Sequence, residues 1–354
     1  MINIGTYNKK SVYFDCENAL NKHILLLGKS GGGKTVEAQK IMLEIAKNGG
    51  TVMALDLHYA LAPSQILEKH RSDFALYTND IDVYQHGISC NLFEPLSFED
   101  GTMEQEVDTI AAITDVFSRI LNLGCNQRTA LRAAIDYVMR TNKFETEGFA
   151  AVGKALLNTE TKTSESVHEK LYYFILHNIF RYGDSFLENG KINVIRLGKF
   201  ALNVQEMVAE LLLSYIWRLG MIGKFNESGI YIFVDECQNL PSGKNSLLAQ
   251  ILSEGRKFNI NLILATQILM QGSRSVVQQC LTQCGMTLYF QPDASHINTV
   301  VRLINPLSSG EWNSVLCALR RGEFIATGAL SVGGHRIEKP LKVTAFEKTE
   351  TNKI

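Results

Sequence analysis

His23–Lys47 reads HILLLGKSGGGKTVEAQKIMLEIAK, and the fold turns on this stretch. Its core, Gly28-Lys29-Ser30-Gly31-Gly32-Gly33-Lys34-Thr35, fits G-x-x-x-x-G-K-[ST], a loop whose backbone N–H groups wrap nucleotide phosphates. The flanks decide whether the match carries meaning. Ile24–Leu27 is an apolar run of strand length, and Ala38, Ile41, Met42, Ile45 and Ala46 recur at helical spacing until Asn48-Gly49-Gly50 stops them. The loop therefore stands where a strand becomes a helix. There the unpaired N–H groups and the positive end of the helix dipole face the ligand, so Gly28, Ser30, Gly31, Gly32 and Gly33 are expected to cradle phosphate. Lys34 is expected to reach the β- and γ-oxygens and the Thr35 hydroxyl to hold Mg²⁺. The alternative, a glycine-rich turn before an ordinary helix, is disfavoured by these flanks.

A second motif lies far downstream. Ile230–Glu236, IYIFVDE, is an apolar run that ends in two carboxylates, the pattern of a buried parallel strand delivering acids at its C-terminal end. Many strands end this way, but behind a phosphate loop Asp235 is expected to hold magnesium and Glu236 to polarise an attacking water. Asn261–Thr266, NLILAT, is another buried strand and delivers Gln267. That glutamine either contacts the γ-phosphate and the water or bonds the backbone at a strand end. Thr51–Asp56 and Lys191–Leu197 read as further core strands, the latter followed by a helix with Val204, Met207, Val208, Leu211, Leu212 and Tyr215 on one face. Asp56 either orients water or magnesium or caps the turn after its strand.

Between these strands the periodicity changes. Val107, Ile110, Thr114, Phe117 and Leu121 repeat helically, as do Leu131, Ala134, Ile135 and Val138, and then Val167, Leu171, Phe174, Ile175 and Ile179. The polar run Asn158–Ser166, NTETKTSES, is expected to be an exposed loop. The organisation predicted is a first part of the core at 1–99, a helical insertion at 100–188, a second part of the core at 189–346 and a mobile tail at 347–354. Ile2–Ile4 and Ser11–Phe14 are short strands. After Gln267 come a helix at Val276–Gln283, a strand at Met286–Phe290, helices at Ala294–Ile304 and Ser309–Leu319, and strands at Glu323–Ala326 and Leu341–Val343.

With 354 residues, 45% hydrophobic and 20% charged, the chain is long enough for a full α/β core with a subdomain. A net charge of -1 excludes a uniformly basic surface, so any nucleic acid must meet locally focused cations. The seven cysteines are odd in number and form no C-x-x-C pair, which argues against a disulfide framework or a zinc site. Cys280 and Cys284 read as two small buried residues on a helix rather than half a metal site. No apolar run approaches the ~18 residues of a membrane span and no signal pattern opens the sequence, so a cytoplasmic protein without membrane insertion is expected.

Two other phosphate-loop classes fit poorly. Asn142-Lys143-Phe144-Glu145 is close to the guanine-reading motif of a GTPase but precedes Asp235 and lies among helices; Leu252-Ser253-Glu254-Gly255 is close to a transporter-ATPase signature but follows that acid. The arrangement resembles instead the HerA/FtsK superfamily of ring ATPases with its VirB4-like and TrwB-like relatives. The resemblance rests on Gly28–Thr35, KINVIRL with its long helix, IYIFVDE, SEGRKFNINLILATQ at 253–267, and the closing Leu319-Arg320-Arg321-Gly322-Glu323-Phe324. It covers residues 23–56 and about 191–345. It implies an α/β fold, a RecA-like P-loop NTPase core with a mostly parallel sheet and a helical insertion, binding ATP and Mg²⁺. It further implies a homo-oligomeric, hexameric ring that hydrolyses ATP at subunit interfaces and moves or grips DNA. Arg256 matches the family's arginine at the subunit boundary, reaching a neighbour's γ-phosphate; a surface ion pair with Glu254 or a nearby acid is the alternative.

HerA proper carries an N-terminal β-barrel ahead of the phosphate loop, where this sequence has only about 22 residues. The appended DNA-reading domain of FtsK and the membrane segments of the coupling proteins are also lacking, so a partner such as a nuclease is expected to supply assembly or targeting. Lys244 and Arg274, on loops after core strands, are candidates for DNA contact, with solvated surface charge as the alternative. A DNA translocase or helicase is the leading reading and an ATP-gated ring scaffold the second. Glu236 and Gln267 together favour water over a small-molecule phosphate acceptor.

Overall fold

The computed structural model describes residues 1–241, 243, 246–267, 281–305 and 309–345. Lys244 and Arg274 fall outside these residues, as do Cys280, most of the helix expected at Val276–Gln283 and the tail from residue 346 onward. The strands are β1 (Ile2–Tyr7), β2 (Lys10–Phe14), β3 (Ile24–Leu27), β4 (Thr51–Asp56), β5 (Thr78–Asp82), β6 (Ile88–Ser89), β7 (Phe180–Arg181), β8 (Ile192–Arg196), β9 (Ile230–Val234), β10 (Ile260–Thr266), β11 (Met286–Tyr289), β12 (Glu323–Gly328), β13 (Leu330–Val332), β14 (His335–Ile337) and β15 (Leu341–Thr344). Every residue of β3, β4, β9, β10 and β11 is buried, as parallel strands covered on both faces require.

Thirteen strands form one sheet, in the order β14-β13-β2-β1-β15-β12-β11-β3-β10-β9-β4-β8-β5. From β11 to β5 every pairing is parallel; from β14 to β11 every pairing is antiparallel. The parallel part is a RecA-like P-loop NTPase core, and β3 with its phosphate loop lies inside it. The short β6 and β7 pair separately.

The helices preceding residue 255 are α1 (Lys34–Lys47), α2 (Glu68–Tyr77), α3 (Val83–His86), α4 (Glu106–Ile120), α5 (Cys125–Arg140), α6 (Lys143–Glu147), α7 (Ala150–Leu157), α8 (Lys162–His177), α9 (Leu202–Met221) and α10 (Leu247–Glu254). Alternate residues of the strands feed opposite faces of the sheet. Ile24 and Leu26 of β3 join the core built with Ile41 and Met42 of α1, while Leu25 joins the core built with α9, α10 and the helices α4–α8. Those insertion helices centre on Phe117, Phe149 and Phe174, whose rings lie 4.7 to 5.3 Å apart.

A buried arginine ties the insertion to the core. Arg218 of α9 donates to both carboxylate oxygens of Glu104, to the Leu92 and Glu94 carbonyls at 3.2 and 3.1 Å and to the Thr109 hydroxyl at 2.9 Å.

Three local readings are corrected. The polar run Asn158–Ser166 is only half loop: Thr161 caps α8 by accepting from the Ser164 N–H at 3.2 Å, and the chain is helical from Lys162. Strand β5 and the hairpin β13–β14, turned by Gly333 (φ 58) and Gly334 (φ 83), were not anticipated.

Candidate nucleotide site

The phosphate loop hangs between two neighbouring strands. The Gly28 N–H donates to the Thr266 carbonyl at 3.2 Å and the Lys29 N–H to the Gln291 carbonyl at 2.9 Å. Position 28 has room only for glycine, because a Cβ there would lie 2.6 Å from the Phe290 Cβ. Gly33, at φ 105, caps α1 without a side chain, so the first-turn N–H groups are left open to a ligand. Lys34 is buried, and its ammonium donates to the Gly28 and Lys29 carbonyls at 2.8 and 3.2 Å. Burial lowers its pKa, opposed by the charges of Glu236, Asp235 and Asp293.

The acids converge on the same loop. Thr35 Oγ1 donates to Asp235 Oδ2 at 3.0 Å, which sets a hydroxyl and a carboxylate side by side at the end of β9. Burial, and then the charge of Glu236, push the Asp235 carboxyl above its usual range. Glu236 has a left-handed backbone (φ 50, ψ 51), a conformation costing a non-glycine residue about 1–3 kcal/mol. Two amides hold its carboxylate: Gln267 Nε2 donates to Oε1 and Gln238 Nε2 to Oε2, while Gln238 Oε1 accepts from the Thr266 hydroxyl at 2.7 Å. The loop and Glu236 open on a cleft of about 380 Å³, also lined by Ser30, Tyr59 and Arg321. That volume suits a small ligand.

The structure thus brings together Gly28, Ser30, Gly31, Gly32, Gly33, Lys34, Thr35, Asp235, Glu236 and Gln267. Arg256 does not line the cleft of its own subunit. It is exposed on a 3₁₀ turn, Gly255–Phe258, and its guanidinium makes no hydrogen bond or ion pair among the described residues; Glu254 pairs instead with Lys257 at 3.0 Å. Asp56 caps its turn through the Ala60 N–H at 2.8 Å and pairs with Arg196 at 3.1 Å. Gln238 and Arg321 were missed. Gln238 follows the acids by two residues on a 3₁₀ turn, where no periodicity marks it, and Arg321 was read only as part of a closing element. Among the described residues, no group of three or more His, Cys, Asp or Glu could hold a metal, and no helix is long and apolar enough to cross a membrane.

Residues 2–216 match the family described as "Helicase HerA, central domain". Comparison with curated proteins finds no match. Among solved structures the chain is similar to VirB4 of Thermoanaerobacter pseudethanolicus, at 17% identity and a TM-score of 0.72, over 99% of this chain and 97% of that one. It is also similar to the bacterial conjugative coupling protein TrwB in a trigonal form with sulphate, at 13% identity and a TM-score of 0.61, over 94% and 87% of the two chains. TrwB in complex with ADP and Mg²⁺ gives 13% identity and a TM-score of 0.59, over 94% and 86%. These likenesses establish a shared fold. Because the family match spans the phosphate loop, the insertion and most of α9, the chain belongs to the family of HerA helicase central domains.

Proposed function

We propose that the protein is an ATP-hydrolysing DNA translocase or helicase of HerA type, assembled as a hexameric ring and working with a partner such as a nuclease. The observation that carries hydrolysis is the Glu236 carboxylate, held by Gln238 and Gln267 beside the Thr35–Asp235 pair and the open end of α1. Such a carboxylate is placed to take a proton from water attacking the γ-phosphorus, as the bond to the β–γ bridging oxygen breaks and ADP leaves with the electron pair. Lys34, exchanging its loop carbonyls for phosphate oxygens, offsets the charge gathering there.

The residues fit Mg²⁺, since Thr35 and Asp235 present hard oxygen ligands 3.0 Å apart. When bound, Mg²⁺ supplies charge neutralisation at the β- and γ-oxygens. Binding of a nucleotide together with Mg²⁺ is also supported by TrwB, which was solved with ADP and Mg²⁺.

The DNA part of the reading is supported by the helicase description of the family. The experiment is ATPase activity with and without DNA, alongside electron microscopy with ATP. A motor gives DNA-stimulated hydrolysis by rings. Hydrolysis indifferent to DNA would favour a ring scaffold, and hydrolysis by monomers would remove the ring.

A further inference from the structure

The strand order gives the cleft two distinct sides. On one side of β3 lie β10 and β9, which deliver Gln267, Asp235 and Glu236; on the other lie β11 and then β12. The turn that enters β12, Arg320–Gly322, is fastened to the phosphate loop. The Gly322 N–H donates to the Gly32 carbonyl at 3.1 Å, and the Gly322 carbonyl accepts from the Ala345 N–H at 2.8 Å. A Cβ on Gly33 would lie 3.3 Å from the Gly322 nitrogen, so loop and turn are in direct contact. Next to this junction, Arg321 is exposed and lines the cleft with Ser30, Gly31 and Lys34.

Arg321 also carries an unspent charge. Among the described residues its guanidinium makes no hydrogen bond or ion pair. The adjacent carboxylate, Glu323, is engaged by the Arg320 N–H at 3.0 Å and by Lys342 at 3.0 Å. An unneutralised planar cation at the wall of an anion-binding loop is suited to a phosphate oxygen pair or the face of a base.

We propose that Arg321 grips the α-phosphate and nucleoside of a nucleotide bound in its own subunit, the part shared by ATP and ADP. The assignment to that end rests on the proposed nucleotide reading of the cleft: with hydrolysis at Glu236, the γ-phosphate lies toward β9 and β10, and the remainder of the ligand runs toward β11 and β12. Arg321 is then a binding residue, separate in role from Arg256.

The test measures the Kd for ADP, and KM and kcat for ATP, in wild type, Arg321→Ala and Arg321→Lys. For Arg321→Ala, loss of a charged hydrogen bond raises the ADP Kd and the ATP KM together by roughly tenfold or more, with kcat within about twofold. Arg321→Lys recovers part of the affinity, because charge remains but the fork is lost. Exposure of the side chain keeps folding out of the comparison, and a thermal melt checks it. Unchanged ADP affinity in both variants overturns the proposal; a fall in kcat at unchanged ADP affinity places Arg321 at the γ-phosphate and overturns it equally. Wild type that binds ADP without hydrolysing ATP defeats the ATPase reading and leaves the Arg321 comparison readable. Wild type without affinity for ADP defeats both.

Discussion

Lys34 and Glu236 bring opposite charges to one cleft, and substituting them is expected to separate binding from chemistry. Lys34→Ala removes the buried cation beside the phosphates, so both nucleotide affinity and turnover fall. Glu236→Gln keeps shape and hydrogen bonding but cannot accept the proton; ATP still binds, while kcat drops by roughly 10²–10⁴. Calorimetry beside a phosphate-release assay checks this, and equal loss of binding in both variants would refute the division of roles. Gln238→Ala strips one of the two amides from Glu236 and should lower kcat by about tenfold at unchanged ADP affinity. A different residue governs acid sensitivity. His23 is buried, its Nδ1 accepts from the Leu262 N–H at 3.0 Å, and burial depresses its pKa to about 4 from 6.5. Below pH 6.5 the unfolded chain takes up a proton that the folded chain refuses until about pH 4, so stability falls as pH drops through that window. The loss from this group between pH 7 and pH 5 is about 2 kcal/mol. His23→Asn preserves an acceptor that does not titrate, and urea unfolding at the two pH values should show a correspondingly smaller loss. The convergence of Lys34, Asp235 and Glu236 on one loop was legible because phosphate chemistry fixes such residue types and their spacing. Gln238 and Arg321 were not, since Gln238 meets Thr266, and Arg321 comes to line the cleft, only when distant strands assemble.

Among the elements, the buried parallel strands were legible as unbroken apolar runs, whereas β5 was not. Its sequence, TNDID, lies half-exposed at the sheet edge and carries two acids, so neither an apolar run nor a clean alternation betrays it. The hairpin β13–β14 hides for a related reason: β14, HRI, is an edge strand with two exposed residues out of three. The start of α8 needed its cap, Thr161, rather than its composition. The attachment of the insertion is just as invisible in sequence, because Arg218 meets Glu104 across more than a hundred residues. Arg218→Met leaves the Glu104 carboxylate without its countercharge and two carbonyls without their donor, so it should destabilise the protein by about 3–5 kcal/mol. Replacing Glu104 with Met in the same chain removes the stranded charge and should recover part of that loss. Urea unfolding of the single and double variants measures both; additive losses would mean the two residues act independently.

For the whole molecule, the exposed and unpaired Arg256 is informative because its own cleft does not contain it. If a ring brings it to a neighbour's γ-phosphate, Arg256→Ala should cost on the order of 10³-fold or more in ATPase rate. Mixing Arg256→Ala with Lys34→Ala subunits, each inactive alone, should restore part of the activity through interfaces that join an intact loop to an intact arginine. Full activity of Arg256→Ala by itself would sink donation in trans. The sheet order has a consequence for how the chain is born. Strand β3 leaves the ribosome well before both residues that partner Ile24, because Ile263 and Met286 lie more than two hundred residues downstream of it. The strand bearing the phosphate loop must therefore wait, unpaired and wholly apolar, while those intervening residues are synthesised. Such long-range pairing folds slowly and leaves apolar edges exposed meanwhile, so the segment around β3 is expected to be vulnerable until its partners are made. Stalled nascent chains ending before residue 260 should leave the 23–47 segment open to protease, and complete chains should close it.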